Sequence, residues 1–446
     1  MKYRATGPLL TDLYQFTMVQ SYLDAGMQDE AVFEFFVRKL PAERNFFMAA
    51  GLDQVIEYLE SLAFTAGEIA WFERERGFNR RFLDYLESFR FRGDVHAMPE
   101  GTIFFPGEPI LRVTAPIPQA QLIESRVINL LNFQTIVASK AARCVLAAPG
   151  RLLVDFGLRR AHGAEAGLLA ARAAWIAGFS GTATVLAGAE FGIPVFGTMA
   201  HSFIQAHASE REAFEDFAAS RPENVTLLID TYDTEAAARK VVDLAPELLA
   251  RGVGLRAVRL DSGDLGAHAR AVRAILDAGG LSAVGIFCSG GLDEAAIAAL
   301  LADGAPIDGF GVGTALDTSS DAPGLDCAYK LQEYAGRPRR KRSEGKATWP
   351  ARKQVYRRVT GEGIMAGDIL TVESDPQEGT PLIVPVMKNG VRLAPGSMTA
   401  ARARAAGELA RLPPALTRLE DSAAPYPVEV SAALRELAQA LDRQAN

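Results

Sequence analysis

One repeating pattern constrains the fold of this chain more than any other feature. A short apolar run, a glycine or polar cluster and a helix-length alanine-rich stretch recur between residues 151 and 314, and the runs are RLLVDFG, GIPVFGT, NVTLLIDTYD, LRAVRLDSGD, AVGIFCSGG and IDGFGVGT. Strands that alternate with helices in this way build right-handed βα units around a parallel sheet. Because no Rossmann glycine fingerprint accompanies the repeat, the pattern favours a barrel over a doubly wound sheet, although sequence alone does not close a barrel.

The segments on either side of the repeat differ from it and predict a division into three parts. Residues 1–120 mix helical stretches with strand segments such as AVFEFFVRK and a Gly- and Pro-dense stretch, which is typical of an α+β domain with a small antiparallel sheet. A long helix then leads into an α/β domain over 121–330. Residues 331–446 lose the repeat and begin with a basic stretch that we interpret as a solvated face, and we expect this segment to pack on the first.

Composition argues against several classes of partner and location. The formal net charge of −7 gives no field that would gather nucleic acid. The three cysteines are far apart and form no CxxC pair, so neither a zinc cage nor a disulfide framework is indicated. The N-terminus lacks a signal-peptide core, and glycines and threonines interrupt the least polar window, 173–189. We therefore expect a cytoplasmic protein with no nucleic-acid or membrane partner.

Polar residues gather where the predicted strands end, which is the active edge of parallel α/β folds. Four acids and three arginines lie at such ends: Asp230, Asp233, Asp261, Asp264, Arg159, Arg160 and Arg259. The loops CSGG and GVGT precede helical stretches, so their backbone N–H groups can hold phosphate. Together these features predict a site for a phosphorylated, hydroxyl-rich ligand.

Ten motifs follow one another along nearly the whole chain: LLTDLYQFTM (9–18), FFVRKLP (35–41), PEGTIFFPGEPILRV (99–113), DFGLRRAHG (155–163), FGTMAHSF (196–203), DTYDT (230–234), VRLDSGDL (258–265), FCSGGLDE (287–294), GVGT (311–314) and SEGKATWPARKQVYR (343–357). In this order they resemble nicotinate phosphoribosyltransferase, a type II phosphoribosyltransferase family. The resemblance implies an α/β fold: a type II phosphoribosyltransferase (β/α) barrel with an N-terminal α+β domain and a C-terminal segment packing on it.

The same resemblance implies an activity in NAD salvage. The family joins nicotinate to 5-phosphoribosyl-1-diphosphate with Mg²⁺, releases diphosphate and nicotinate mononucleotide, and is assisted by ATP hydrolysis. It also implies a homodimer with shared active sites.

Individual residues acquire roles through these motifs. His201 would be the catalytic histidine that ATP phosphorylates. Thr198, Arg259 and a Tyr14 from the second subunit would hold nicotinate, and Phe156 would stack on its ring. Asp261 would contact the ribose hydroxyls, and Arg159 the phosphoribosyl or diphosphate part. The 5′-phosphate would be bound by Ser289, Gly290, Gly291, Gly313 and Thr314. The resemblance assigns no protein ligand to Mg²⁺.

Three further expectations concern residues beside these motifs. Asp230 follows its strand closely, and we expect it to accept a hydrogen bond from His201 and so fix the tautomer of the imidazole. Ala183 stands where nicotinamide-using relatives carry an aspartate, which favours nicotinate because no carboxylate repels it. Asp317 stands where the family is expected to be apolar, and the loop 161–167 also departs from the family pattern.

Two other functions stay open on the sequence alone. A nicotinamide phosphoribosyltransferase would share the scaffold, and a catalytically silent binding protein could retain it. Each residue also has a plain structural alternative: Tyr14 and Phe156 as core aromatics, His201 as a packed imidazole, and Asp261 or Asp264 as helix caps.

Overall fold

The computed structural model describes residues 7–422 and 424–444. Within them the chain forms two compact units, one made of the residues up to Ser139 together with those from Ala322 onward, the other of Lys140–Asp321. The predicted domain bounds at 120/121 and 330/331 stay a prediction. The helix of residues 124–147 spans the first division between the two units, at 139/140. The expectation of no export rests partly on residues 1–6, which lie outside the described residues.

The N-terminal part of the first unit alternates helices with short strands. Its elements are α1 (Leu13–Asp24), β1 (Glu30–Val37), β2 (Phe47–Met48), α2 (Leu52–Ser61), α3 (Ala66–Arg76), α4 (Arg80–Glu87), β3 (Asp94–Ala97), β4 (Ile103–Phe104), β5 (Pro109–Pro116), α5 (Ile117–Leu122) and α6 (Glu124–Ala147). The strand predicted at AVFEFFVRK is confirmed as β1.

The second unit carries the repeat. Its elements are β6 (Leu152–Asp155), a 3-10 turn (Leu158–Arg160), α7 (Ala164–Ala177), β7 (Gly181–Thr182), α8 (Val185–Phe191), α9 (His201–Ala206), α10 (Glu210–Ser220), β8 (Val225–Leu228), α11 (Thr234–Ala250), β9 (Leu255–Leu260), α12 (Leu265–Ala278), β10 (Gly285–Ser289), α13 (Glu294–Ala302), β11 (Gly309–Val312) and α14 (Thr314–Asp317).

The C-terminal part of the first unit is rich in strands. Its elements are β12 (Cys327–Tyr334), β13 (Arg337–Pro338), β14 (Lys353–Val359), β15 (Met365–Val372), β16 (Thr380–Pro381), β17 (Val384–Lys388), β18 (Val391–Arg392), α15 (Met398–Ala410), a 3-10 turn (Pro414–Leu416), β19 (Val428–Val430) and α16 (Ala432–Gln444).

Strands from both ends of the chain share one sheet in the first unit. The order is β13-β12-β1-β5-β3-β17-β18, and β1 pairs antiparallel with β5 on one side and β12 on the other. All but two residues of β1 are buried, as expected for a central strand of a core sheet. The C-terminal segment therefore completes the sheet that the N-terminal segment begins.

A buried arginine joins three elements of the C-terminal segment. Arg357 of β14 donates to both oxygens of Asp368 in β15, at 3.0 and 2.6 Å, and to Glu408 in α15, at 2.6 Å. Tyr426 donates a further hydrogen bond to Asp368 at 2.9 Å. A fork of N–H donors that satisfies two carboxylates fixes the relative positions of the elements that carry them.

The second unit contains the predicted parallel sheet, with strand order β7-β6-β11-β10-β9-β8. Five of the predicted strands are confirmed as β6, β8, β9, β10 and β11. The prediction at GIPVFGT is wrong, since that segment contributes only a bridge from Val195 to Thr182 and the sheet strand is β7. Pro194 lacks an N–H group, which keeps the pairing from extending into a ladder.

The acids that follow these strands begin the next helices. Asp233 accepts from the Ala236 N–H at 2.7 Å, and Asp264 accepts from the Ala267 N–H at 3.0 Å. Such N-caps satisfy backbone donors that the first helical turn leaves unpaired. The alternative interpretation of Asp264 as a helix cap is confirmed.

The apolar window at 173–189 is divided between α7, β7 and α8. Among the residues that the structure describes, no helix is both long enough and apolar enough to cross a bilayer. The three cysteines are free thiols.

Candidate active site

The carboxyl edge of the parallel sheet brings together residues from five strands. Phe156 follows β6, Ala183 follows β7, Arg259 lies near the end of β9, Ser289 ends β10 and Gly313 follows β11. All these strands run in one direction, so the residues that end them share one rim of the second unit.

Arg259 is at the centre of this rim. Its Nε donates to the Ser289 hydroxyl at 2.9 Å, its Nη2 to Asp261 Oδ1 at 2.8 Å, and its Nη1 to the Thr198 hydroxyl at 3.3 Å. The guanidinium carbon also lies 5.4 Å from the centroid of the Phe156 ring. A cation held beside an aromatic face is suited to bind a planar, anionic ring.

Asp261 is ionised in this arrangement. Burial by itself would raise the pKa of its carboxyl group, but hydrogen bonds from Ser289 and Arg259 and the charges of Arg259 and His201 outweigh burial and lower the pKa. Ser289 donates to the same oxygen that Arg259 contacts. The carboxylate therefore remains an acceptor at neutral pH.

His201 is the first residue of α9, and its side chain is 39 % exposed. Its Nδ1 lies 3.1 Å from the Thr231 hydroxyl, and its Nε2 lies 3.8 Å from Asp261 Oδ2. The two ring nitrogens therefore face different partners, a hydroxyl on one side and a carboxylate on the other. The imidazole is accessible rather than packed into the core.

The expected hydrogen bond between Asp230 and His201 is not formed. Asp230 Oδ2 instead accepts from the backbone N–H of Asp261 at 2.8 Å and from the Ser262 hydroxyl at 2.6 Å. Asp230 thus holds the loop after β9, and the next residue, Thr231, contacts the imidazole. The distinction depends on which way consecutive side chains point at a strand end, and the sequence motif does not record it.

The two glycine-rich loops need glycine for different reasons. Gly290 has φ +96°, and a Cβ at this position would lie 2.0 Å from the backbone oxygen of Asp261. Gly291, at φ +65°, has open space around it but adopts a left-handed conformation. At the third glycine, Gly313, a Cβ would lie 3.2 Å from the backbone oxygen of Phe156, and the neighbouring Thr314 hydroxyl accepts from Arg160 Nη1 at 3.3 Å.

A cavity of about 270 Å³ adjoins this rim and extends toward the amino ends of the strands. Its lining includes Phe156 and Thr198 at the rim, and Leu152, Arg256 and Gly285 at the amino ends of β6, β9 and β10. An apolar cavity of roughly 150 Å³ is large enough for benzene. The cavity as a whole therefore has the volume for a pyridine ring, and Arg259 is not among its lining residues.

Comparisons with known proteins bear on this site. The family model described as the nicotinate phosphoribosyltransferase N-terminal domain matches residues 9–132, and that of the nicotinate phosphoribosyltransferase family matches residues 152–340. Nicotinate phosphoribosyltransferase pncB2 of Mycobacterium tuberculosis is 50 % identical over 427 residues, 95 % of this chain and 92 % of the relative. The chain belongs to the nicotinate phosphoribosyltransferase family.

Other members of the family agree over similar lengths. The nicotinate phosphoribosyltransferase of Bos taurus is 31 % identical over 98 % of this chain and 97 % of its own. The crystal structure of human nicotinic acid phosphoribosyltransferase superposes with a TM-score of 0.86 at 28 % identity, covering 97 % of this chain and 100 % of that one. The predicted type II phosphoribosyltransferase fold and the family resemblance are both confirmed.

Arg259 with Thr198, Asp261, Ser289 and Phe156 is called the Arg259 cluster below. Arg159 and Tyr14, which the family motifs predict to bind substrate, are not part of it. Arg159 is exposed in the 3-10 turn after β6. Tyr14 belongs to α1 of the first unit and is 47 % exposed, so it is not a core aromatic. Its role toward nicotinate in a second subunit stays a prediction.

Sequence reasoning missed several residues of the rim. Thr231 contacts His201, and Thr182 donates to a buried carboxylate, Asp155, at 2.6 Å. Thr231 lies inside the quoted motif DTYDT and Asp155 begins DFGLRRAHG, so their positions were visible while their contacts were not. Cys288, in FCSGG, takes no part, because burial raises the pKa of its thiol to about 12 and keeps it neutral.

Proposed function

We propose that this chain transfers the phosphoribosyl group of 5-phosphoribosyl-1-diphosphate to nicotinate, forming nicotinate mononucleotide and diphosphate in NAD salvage. The observation that carries the proposal is the position of the Arg259 guanidinium, 5.4 Å from the Phe156 ring centroid at the carboxyl edge of the parallel sheet. The relatives in Mycobacterium tuberculosis and Bacillus subtilis, named nicotinate phosphoribosyltransferases, support the same assignment.

Nicotinate fits the chemistry of this cluster. Its carboxylate pairs with Arg259, its ring stacks on Phe156, and Thr198 adds a hydroxyl next to the guanidinium. A ring held at its charge and at its face has little rotational freedom left. That restriction orients the ring nitrogen for attack on the anomeric carbon of the ribose.

The transfer needs no general base. The lone pair of the pyridine nitrogen forms the new bond to the anomeric carbon while the bond from that carbon to the diphosphate oxygen breaks, and the electron pair leaves with diphosphate. The transition state carries positive charge on the sugar, near the Asp261 carboxylate, and negative charge on the departing diphosphate. In this proposal Arg159 and the two glycine-rich loops bind the anionic groups.

Ala183 and Arg259 are the residues that favour nicotinate, the acid, over nicotinamide, the amide. Ala183 is exposed at the carboxyl end of β7 and carries no charge. A carboxylate in its place would accept from the NH₂ group of nicotinamide and repel nicotinate. An apolar residue here, together with the Arg259 cation, favours the acid.

Mg²⁺ fits this rim as a metal that arrives with substrate. Within residues 7–422 and 424–444 no three His, Cys, Asp or Glu side chains form a metal cluster, and Mg²⁺ is usually held by one or two carboxylates plus substrate phosphates. Asp230 Oδ1 is buried without a hydrogen-bond partner among the described residues, which leaves it able to hold the ion directly or through water. When bound, the ion neutralises charge on the diphosphate.

In this proposal ATP phosphorylates His201. With Nδ1 protonated toward Thr231, Nε2 keeps its lone pair and can attack the γ-phosphorus of ATP. A nitrogen–phosphorus bond forms, the bond from the γ-phosphorus to the bridging oxygen breaks, and ADP leaves with that electron pair. The phosphate would add negative charge beside Asp261 and so alter the affinity for Mg²⁺ and diphosphate.

The phosphohistidine is tested by labelling. After incubation with γ-labelled ATP we expect one acid-labile, alkali-stable phosphate per chain, absent from His201→Ala. Thr231→Val, which removes the hydroxyl at Nδ1, should label at least about tenfold more slowly. Label that persists in His201→Ala would assign the phosphate to another residue.

The reaction is tested by product analysis. With 5-phosphoribosyl-1-diphosphate, Mg²⁺ and ATP we expect diphosphate release with nicotinate at a rate far above that with nicotinamide. Preference for the amide would favour the nicotinamide phosphoribosyltransferase alternative and overturn the argument from Ala183. Release with neither ring would favour the silent binding protein. Cytoplasmic location and a homodimer with shared sites are part of the proposal and remain predictions.

A further inference from the structure

Two buried carboxyl groups lie against each other in the second unit. Asp155 ends β6 and Asp317 ends α14, and each is only 1 % exposed. Their side chains are within hydrogen-bonding reach of one another. Asp317 is the residue at which the sequence departs from the family expectation of an apolar side chain.

Asp155 joins two loops of the rim. One of its oxygens accepts from the Gly157 N–H at 2.7 Å and the other from the Thr182 hydroxyl at 2.6 Å. Thr182 in turn accepts from the Thr184 N–H at 2.9 Å, so the hydroxyl fixes the backbone on the far side of Ala183. Burial raises the pKa of the Asp155 carboxyl group, and the hydrogen bonds from Thr182 and Gly157 oppose that rise because they favour its ionised form.

Asp317 brings in a third segment, the short helix α14 that begins at Thr314. A Cβ built on Gly157 would lie 2.1 Å from Asp317 Cγ, so the carboxyl group sits directly on the turn that carries Arg159. Asp317 also ends the short helix whose first residue, Thr314, is predicted to bind phosphate. The Asp317 carboxyl group therefore links the turn at Gly157 to the helix that begins at Thr314.

The hydrogen-bond donors around the two carboxyl groups indicate which of them is protonated. Within the described part of the chain, neither oxygen of Asp317 accepts a hydrogen bond from any other group. Two carboxylates cannot hydrogen-bond to each other because neither has a donor, whereas a carboxylic acid can donate to a carboxylate. Asp155 has two donors of its own, so the proton resides on Asp317.

The charges on the surrounding elements do not neutralise the pair. On the 3-10 turn, Arg159 is exposed and Arg160 donates to Thr314. On α7, Glu165 is an acid and the Arg172 guanidinium lies 6.0 Å from the Phe191 ring centroid. The adjacent strands β7 and β11 carry no charged side chain. Burial, and then the charge of Asp155, raise the pKa of Asp317 to about 10.

We propose that Asp317 is a positioning residue for phosphoribosyl diphosphate: as a neutral acid that donates to Asp155, it holds together the turn that carries Arg159, the loop that carries Ala183 and the short helix that begins at Thr314. The part of this inference that names phosphoribosyl diphosphate rests on the proposed function. The part that places a proton on Asp317 does not. Loss of the proton places two anions side by side in a buried site and separates these segments. The affinity for phosphoribosyl diphosphate then falls, while the Arg259 cluster that would hold nicotinate is untouched.

The sign of the pH dependence follows from the raised pKa. Between the ordinary carboxyl range and the pKa of about 10, the folded chain binds one proton more at Asp317 than the unfolded chain does. The contribution of Asp317 to folding stability is thus fully present at low pH and declines as pH rises, by up to about tenfold in the folding constant per pH unit. Asp317→Asn removes this dependence, because the amide donates to Asp155 without titrating.

The experiment compares three variants from pH 6 to pH 9.5. Asp317→Asn keeps the donor, Asp317→Val is apolar and has none, and Asp243→Asn is a control at an exposed position of α11. Chemical denaturation gives the folding constant at each pH, and steady-state kinetics gives KM separately for phosphoribosyl diphosphate and for nicotinate.

The expected results test separately whether Asp317 is protonated and whether it positions the groups that bind phosphoribosyl diphosphate. The folding constant of wild type should fall relative to that of Asp317→Asn as pH rises, and the Asp243→Asn control should follow wild type. Asp317→Val should raise KM for phosphoribosyl diphosphate about tenfold at all pH values, with KM for nicotinate changed less than about twofold, and Asp317→Asn should restore it.

Two results would overturn the inference. Parallel pH profiles of stability for wild type and Asp317→Asn would show that Asp317 carries no extra proton. An unchanged KM for phosphoribosyl diphosphate in Asp317→Val would show that the pair positions nothing. If wild type makes no nicotinate mononucleotide, the proposed function fails, while the stability comparison still decides the proton.

Discussion

At the scale of single residues, the proposed specificity for nicotinate depends on the contacts of Arg259. Its donors reach Ser289, Asp261 and Thr198, and its charge lies beside Phe156. A guanidinium already fixed by its neighbours loses little freedom when a carboxylate binds, which is the condition for a strong charge-assisted hydrogen bond.

Replacement of Arg259 by lysine should weaken nicotinate binding. Lysine keeps the charge but not the planar fork, so we expect KM for nicotinate to rise about 10- to 100-fold, equivalent to about 1.5–3 kcal/mol. Steady-state kinetics with each substrate varied in turn checks this. Arg251→Lys, at an exposed position at the end of α11, is the matched control. An unchanged KM for nicotinate would place the carboxylate elsewhere.

The sequence located the residues of this site better than their contacts. Motif matching identified His201, Arg259, Asp261 and Ser289, all of which gather at one rim. It paired His201 with Asp230, whereas the structure pairs it with Thr231. Side-chain directions at a strand end depend on the register and twist of the sheet, and these are fixed by long-range packing that one sequence does not record.

At the scale of elements, strands with a plain apolar run were predictable. Five of the six runs in the repeat form strands, and the exception contains Pro194, which allows only a single bridge. The proline inside this short apolar run was the sequence signal against a full strand. The two-residue strand β7 has too few residues to show any period, so sequence patterning could not identify it.

In the loop after β10, Gly290 is the glycine at which an added side chain would clash with the backbone. Gly290→Ala would bring a Cβ to 2.0 Å from the Asp261 backbone oxygen at φ +96°. We expect a loss of about 2–4 kcal/mol in the free energy of unfolding, together with a higher KM for phosphoribosyl diphosphate. Gly280→Ala, at φ +74° with open space around it, is the control and should cost about 1 kcal/mol without a change in KM. Equal losses in the two variants would show that the loop yields to the added methyl group.

Arg357 makes a second test at the element scale. Arg357→Gln leaves buried acids on β15 and α15 without their cation, and we expect about 3–5 kcal/mol less stability by chemical denaturation. Its neighbour Arg358 pairs with Glu429 at 3.1 Å on the surface, so Arg358→Gln should cost less than about 1 kcal/mol. Similar values for the two variants would mean that the buried network contributes no more than the exposed pair.

At the scale of the whole molecule, the strand pairing that joins the N-terminal and C-terminal segments in the first unit was not predicted. The sequence indicated that residues 331–446 pack on the N-terminal segment, and the structure groups them in one unit. It gave no sign that β12 pairs directly with β1, in a register that sets Phe35 opposite Tyr329. Pairing between segments so distant in sequence depends on the assembled core rather than on any local signal.

The proposed shared active site is a property of two chains, and it can be tested by mixing them. If Tyr14 of one subunit completes the site that holds Arg259 of the other, Tyr14→Ala and Arg259→Ala homodimers are each weakly active for different reasons. Unfolding and refolding a one-to-one mixture should give mixed dimers in which one site carries both substitutions and the other is intact. Random pairing then restores roughly a quarter of the wild-type activity. Refolded single variants are the control, and a mixture no more active than their mean would show that Tyr14 acts within its own chain or not at all.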